Sequence, residues 1–210
     1  MAGSATTSAA TPTVNTPPAI TANPSNQSVN TGSTVTFTSG ASGSPAPSVQ
    51  WQVSTNGGAT FTNLAGATST SLMFTAADSQ NGNQYRAVFT NNCGTATTTA
   101  ATLTVKDFSV SVTPTSETIP IGHKAHYTLT VTPINGFTGT VSLSCTGGPP
   151  TATCSLSPIS VMLNGSSSAT AIVTIRIQKN SDTKGTFTFT VTGTLGTLSH
   201  STTLSLTVKS

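Results

Sequence analysis

The residues able to do chemistry are few and far apart. Cysteines stand at Cys93, Cys145 and Cys154, histidines at His123, His126 and His200, and the only acids are Asp78, Asp107, Glu117 and Asp182. Cys145 and Cys154 flank Gly147-Gly148-Pro149-Pro150 with no further Cys or His at ligand spacing, which favours a structural disulfide over a metal site. Such a bond requires an oxidising compartment, and its short loop predicts a local clip that does not join the sheets of a domain. Cys93 falls in a predicted exposed turn. It reads as an inert free thiol or as a covalent link to another chain, and the cation nearest in sequence, Arg86, lies several residues away.

His123 and His126 are close enough in sequence to suggest zinc. On a strand, however, residues three apart point to opposite faces, so all three histidines read as surface residues. No two acids have the spacing of a glycosidase pair or a calcium loop, and no Gly-x-Ser-x-Gly elbow is present. The residues therefore predict no catalytic site, no metal and no cofactor. Seven cations, Arg86, Lys106, Lys124, Arg176, Lys179, Lys184 and Lys209, are scattered, and the net charge is only +3. Nucleic-acid binding needs cations lined against phosphates, and this pattern does not supply them. No apolar run is long enough to cross a bilayer. Rows of threonine (Thr34/Thr36/Thr38, Thr128/Thr130, Thr186/Thr188/Thr190/Thr192) fit the solvated face of a strand better than an ice-binding or crystal-binding array. The sequons Asn26-Gln27-Ser28 and Asn164-Gly165-Ser166 permit glycosylation.

The elements that must carry these residues are short alternating runs. Residues 19–106 form a first predicted unit. Its runs are Ser33–Thr38, Ser48–Val53, Phe61–Leu64, Ser71–Phe74, Gln84–Phe89 and Ala101–Val105, separated by turns such as Asn56-Gly57-Gly58 and Asn91-Asn92-Cys93-Gly94. Period two places Val35 with Phe37, Trp51 with Val53, and Tyr85 with Ala87 and Phe89. Residues 107–210 form a second unit, entered without a spacer. Its alternations are Phe108/Val110/Val112, Tyr127/Leu129/Val131, Val141/Leu143/Cys145, Val173/Ile175/Ile177, Phe187/Phe189/Val191 and Leu204/Leu206/Val208. The direct passage Val105-Lys106-Asp107-Phe108 predicts a joint stiffer than a Gly/Ser linker.

Residues 1–18 are rich in Ala, Thr, Ser and Pro, without the basic and apolar regions of a signal peptide, so no export signal is present in this segment. They predict an extended arm that acts as a tether or, through Thr11, Thr13 and Val14, as a strand donated to a neighbour's sheet edge.

Ser48-Val49-Gln50-Trp51-Gln52-Val53 carries the only Trp, and Asn81-Gly82-Asn83-Gln84-Tyr85 places a Tyr just after a Gly-containing corner. Together with Pro24–Val29, Gly32-Ser33 and the Pro-rich bend Gly43–Pro47, this resembles a bacterial immunoglobulin-like (Ig-like) repeat. The resemblance implies a buried Trp51 and a Tyr85 whose hydroxyl ties down its corner. It departs from the antibody pattern at Ser39 and Ala87, where a disulfide would join the sheets. Phe137–Val141 with Cys154–Pro158 resembles Ig-like modules repeated in large bacterial surface and secreted proteins. The expected fold is thus all-β: two tandem Ig-like β-sandwiches preceded by an extended N-terminal arm.

Three functional expectations follow. The first is a non-catalytic structural or adhesive module of an extracellular or cell-surface bacterial protein, in contact with copies of itself or with neighbouring surface proteins. The second is a filament subunit linked by strand donation from the arm. The third is a glycan-binding accessory module of a secreted enzyme, which needs exposed aromatic rings.

Overall fold

A computed structural model describes residues 14–179 and 182–210. Chain contacts divide the molecule into two units. One holds the residues up to Gln27 with Val35–Phe74 and Gly82–Leu103, and the other holds Ser28–Thr34, Thr75–Asn81 and Thr104–Ser210. In chain order the first ten strands are β1 (Thr16–Ala22), β2 (Gln27–Asn30), β3 (Thr34–Thr38), β4 (Gly40–Ser44), β5 (Ser48–Ser54), β6 (Thr62–Asn63), β7 (Ser71–Thr75), β8 (Gln84–Asn91), β9 (Gly94–Thr97) and β10 (Ala101–Thr113). A 3-10 turn, Asp78–Gln80, precedes β8.

The first unit has two layers. In one, β1 pairs with β4 and β3 pairs with β7; in the other, β5 lies between β6 and β8, and β8 also pairs with β9 and with the start of β10. Phe37 of β3 joins them. Its ring stacks on Tyr85 of β8 at 4.9 Å and lies 6.4 Å from both Trp51 of β5 and Phe74 of β7. Trp51 and Tyr85 are fully buried, and the Trp51 indole N–H donates to the carbonyl of Ser69 at 2.8 Å. Burying each such ring contributes roughly 1.5–3 kcal/mol, and the polar handle keeps its partner. Ser39 and Ala87 are buried without a disulfide.

The first strand starts earlier than composition suggests. Thr16, Pro17 and Pro18 lie in β1, because Ser44 N–H donates to Thr16 Oγ1 (3.0 Å) and Asn91 Nδ2 donates to the Thr16 carbonyl (2.8 Å). The two prolines, which have no N–H for a ladder, sit in a register shift between Thr16 and Ala19. Val14 precedes the strand and is 74% exposed. Thr11 and Thr13 lie outside the described residues.

The second unit continues with β11 (Ser116–Pro120), β12 (Lys124–Ile134), β13 (Thr138–Gly147), β14 (Ala152–Ser157), β15 (Ser160–Asn164), β16 (Ala169–Ile177), β17 (Gly185–Leu195) and β18 (Leu198–Lys209). One layer runs β14-β16-β12-β10 and the other β11-β18-β17-β13-β15, with β11 parallel to β18. Phe108, Tyr127, Leu129, Phe137, Ile175 and Phe189 lie in the core between them. The turn after β13 needs glycine: Gly148 has φ 78°, and a β-carbon there would enter the Phe189 ring.

Two facing layers with this strand order make both units Ig-like sandwiches, and the chain is all-β. The second unit departs from the usual path. After β13 the chain crosses to the opposite layer as β14 and returns beside β13 as β15.

Candidate functional site

In the first unit, Trp51, Ala87 and Phe89 point inward, so the alternate residues of β5 and β8 form the outer face. Register sets Gln52 opposite Arg86, Gln50 opposite Val88 and Ser48 opposite Thr90. The Arg86 guanidinium lies 3.8 Å over the ring of Phe61, and its Nε donates to Gln52 Oε1 at 2.8 Å. Gln52 Nε2 in turn donates to Asn63 Oδ1 at 2.9 Å, and Gln50 Nε2 donates to the carbonyls of Trp51 and Leu64.

These bonds hold the planar groups in place before any ligand arrives. The terminal Arg86 nitrogens, the Gln50 side-chain oxygen and the Asn63 amide nitrogen remain to engage one. A cleft of about 450 Å³ lined by Pro47, Val49, Gln50, Thr68, Val88 and Thr90 shares Gln50 with this network. The face offers the Arg86 cation, neutral amide donors and acceptors, and apolar patches, without a carboxylate. Phe61 was not legible as part of a site: it is a lone Phe in a Thr/Asn run, and its ring gains a role only when β6 brings it to Arg86.

The other candidate residues are dispersed. Cys145 on β13 and Cys154 on β14 are disulfide-bonded, with Cα atoms 6.0 Å apart. The expectation of a local clip is corrected here, since β13 pairs with β17 in one layer and β14 with β16 in the other. The bond therefore ties the two sheets together, at a corner where they approach far closer than the usual spacing of about 10 Å between facing sheets. Cys93 is free and exposed in the turn between β8 and β9, its N–H donating to Asn91 Oδ1 at 2.9 Å.

His123 and His126 are exposed, and His126 Nδ1 meets Thr174 Oγ1 at 3.1 Å. His200 corrects the surface reading. It is half-buried, its Nε2 is 2.7 Å from Oδ1 of the buried Asp107, and its ring stands edge-on to Phe108 at 5.0 Å. Asp107 also accepts from the N–H of Phe108 (2.7 Å) and the hydroxyl of Thr31 (3.2 Å). Among the described residues, no three of His, Cys, Asp and Glu converge as a metal site.

Both tyrosines have raised pKa values. Burial raises that of Tyr85, opposed by its hydrogen bond with the Asn83 side chain. Tyr127 is pushed up to about 12, first by burial and then by the charge of Glu117.

The fold and this outer face define an Ig-like sandwich protein. Residues 18–107 match a family model described as a domain of unknown function (DUF8696). Over 100 residues the chain is 42% identical to Endoglucanase C of Cellulomonas fimi, a match covering 48% of this chain and 9% of that protein. A solved structure of the N-terminal four Ig domains of Dscam1 isoform 8.4 is 19% identical over 94% of this chain and 48% of that one, at TM-score 0.44. For the N-terminal eight Ig domains of Down Syndrome Cell Adhesion Molecule isoform 1.30.30, the identity is 20%, the coverages 94% and 27%, and the TM-score 0.45. No helix among the described residues is long and apolar enough to cross a membrane.

Proposed function

We propose that this chain is a non-catalytic Ig-like module of a longer extracellular or cell-surface bacterial protein, where it spaces or presents other parts. The observation that carries this reading is the match of about half the chain to a stretch amounting to 9% of Endoglucanase C. In that protein the related sequence is one small part of a long chain. The Ig-like cores fit such use, because their large aromatic groups are spent on packing Trp51, Phe37 and Tyr85. The test is to assay the purified chain on soluble and insoluble polysaccharides for release of reducing ends, and to fuse it between two folded reporters. The module reading expects no release, and reporters held apart by a folded spacer; sustained hydrolysis would overturn it.

A second reading is supported by the Arg86 face. Its guanidinium and amides, fixed by Phe61, Gln52 and Asn63, offer hydrogen bonds to an oligosaccharide, and because none of the exposed large apolar side chains among the described residues is aromatic, this reading rests on hydrogen bonding without ring stacking. Retention on insoluble cellulose, and its loss in Arg86→Ala, is the expected outcome. Equal passage of both proteins through the polysaccharide would sink this reading and leave the spacer reading intact.

A further inference from the structure

The chain has three methionines, and two are internal, Met73 and Met162. Methionine is ordinarily among the most buried residue types, yet these two are 66% and 77% exposed. Each stands at the centre of a five-residue strand of the same design. β7 reads Ser71-Leu72-Met73-Phe74-Thr75 and β15 reads Ser160-Val161-Met162-Leu163-Asn164: a polar residue, an apolar residue, the Met, an apolar residue, a polar residue. Among the described strands, β7 pairs only with β3 and β15 only with β13, so each has one open side.

Hydrogen-bond parity fixes what the open sides present. Ser39 N–H donates to the Thr70 carbonyl and Ala76 N–H to that of Ser33, so the antiparallel bonds of β7 toward β3 fall at residues of even number. The amide groups of Ser71, Met73 and Thr75 are therefore directed outward. Leu143 N–H donates to the Ile159 carbonyl, in register with Val161 opposite Val141, which leaves the amide groups of Ser160, Met162 and Asn164 outward. The β15 edge thus offers three donor-acceptor sets two residues apart, and the β7 edge offers two, at Met73 and Thr75, with the Ser71 N–H already donated to Ser69 Oγ at 3.3 Å.

Natural sheet edges are protected by charge, proline or shortness. Several other edges carry such devices: β1 has Pro17 and Pro18, β6 is two residues long, and β11 has Glu117 and Pro120, whereas β3 and β4, each also paired with one strand, have neither charge nor proline. β14 is closed off by Pro149 and Pro150 before it and Pro158 after it. β7 and β15 carry no charge and no proline within the strand, and Pro158 stands two residues before β15.

We propose that a Met-centred edge of one molecule pairs antiparallel with a Met-centred edge of a second copy of this chain, Met opposite Met. The pattern is self-complementary. With the methionines opposed, the polar end of one strand meets the polar end of the other, and the free outward amide groups find partners, all three sets on β15 and those of Met73 and Thr75 on β7. Neither strand carries a charge to oppose the approach. This contact uses neither the N-terminal arm nor the Arg86 face, so it stands or falls apart from both readings above.

The test is sedimentation of the full chain in a Cys93→Ser background at up to about 1 mM. Concentration-dependent self-association is expected, weakened at least tenfold by Met73→Lys or Met162→Lys and abolished by the pair, while Met162→Leu keeps it. Unchanged melting of the lysine variants shows that they fold. Under mild oxidation, Met73→Cys or Met162→Cys gives a disulfide-linked dimer, whereas Thr140→Cys, one strand in on the same face, does not. A monomer at every concentration overturns the proposal. So does association that survives the double lysine variant, crosslinking at Thr140 as fast as at Met162, or association that disappears when the chain begins at Val14 instead of responding to the lysines.

Discussion

Tyr127 donates its hydroxyl to the carbonyl oxygen of Ser205 at 2.8 Å, and these two residues belong to opposite layers of the second unit, on β12 and β18. The bond is made by a ring that is 1% exposed, so a polar tether crosses an apolar core. It accounts for a Tyr at a position where the alternation alone asks only for bulk.

Replacing Tyr127 by Phe keeps the packing and removes the hydrogen bond to the Ser205 carbonyl, which costs about 0.5–1.5 kcal/mol. The expected result is a lower denaturant midpoint for the second unit, with an unchanged dependence on denaturant concentration.

The same group sets an alkaline limit. Its pKa is about 12 in the folded chain and about 10 when unfolded, so below about pH 10 it confers no pH dependence. Above that the unfolded state loses the proton first, and stability falls as pH rises toward 12. The loss amounts to about 2–3 kcal/mol. Unfolding titrations of wild type and Tyr127→Phe, read from signals of the second unit, should show that slope in the former and a smaller one in the latter.

Reduction of Cys145–Cys154 should destabilise the second unit by about 2.5–3 kcal/mol, from a sequence separation of 9. Because the bond joins the two layers, hydrogen exchange should quicken in both β13 and β14. Faster exchange confined to the Gly147–Pro150 turn would instead indicate a local clip.

Trp51→Ala should cost about 3–5 kcal/mol and unfold the first unit at moderate denaturant, since the ring packs against Phe37 and its N–H holds Ser69. Calorimetry resolving two transitions would show the lower one move and the other stay.

Asp107→Ala removes a buried carboxylate that accepts from Phe108 and Thr31 and faces His200. A loss of about 1–3 kcal/mol is expected. His200→Ala should cost less, since the two other donors to Asp107 remain. Paired melting curves would test that order.

The sequence by itself determined that the chain is all-β, with Trp51 and Tyr85 in an Ig-like core and six clean alternations in the second unit. Period-two alternation and turn chemistry are local, and a residue's inward or outward sense follows from its neighbours. What only the tertiary structure decided are relationships between residues far apart in the chain. Composition ended the arm at Pro18, but bonds from Ser44 and Asn91 draw Thr16 into β1. Cys145 and Cys154 looked like neighbours on one excursion until β14 crossed to the other layer. His200 finds Asp107 across 93 positions, and Phe61 meets Arg86 only where β5 stands between β6 and β8. Layer assignment depends on which strands pair. That choice is made by the whole buried surface at once, and no short window of sequence contains it.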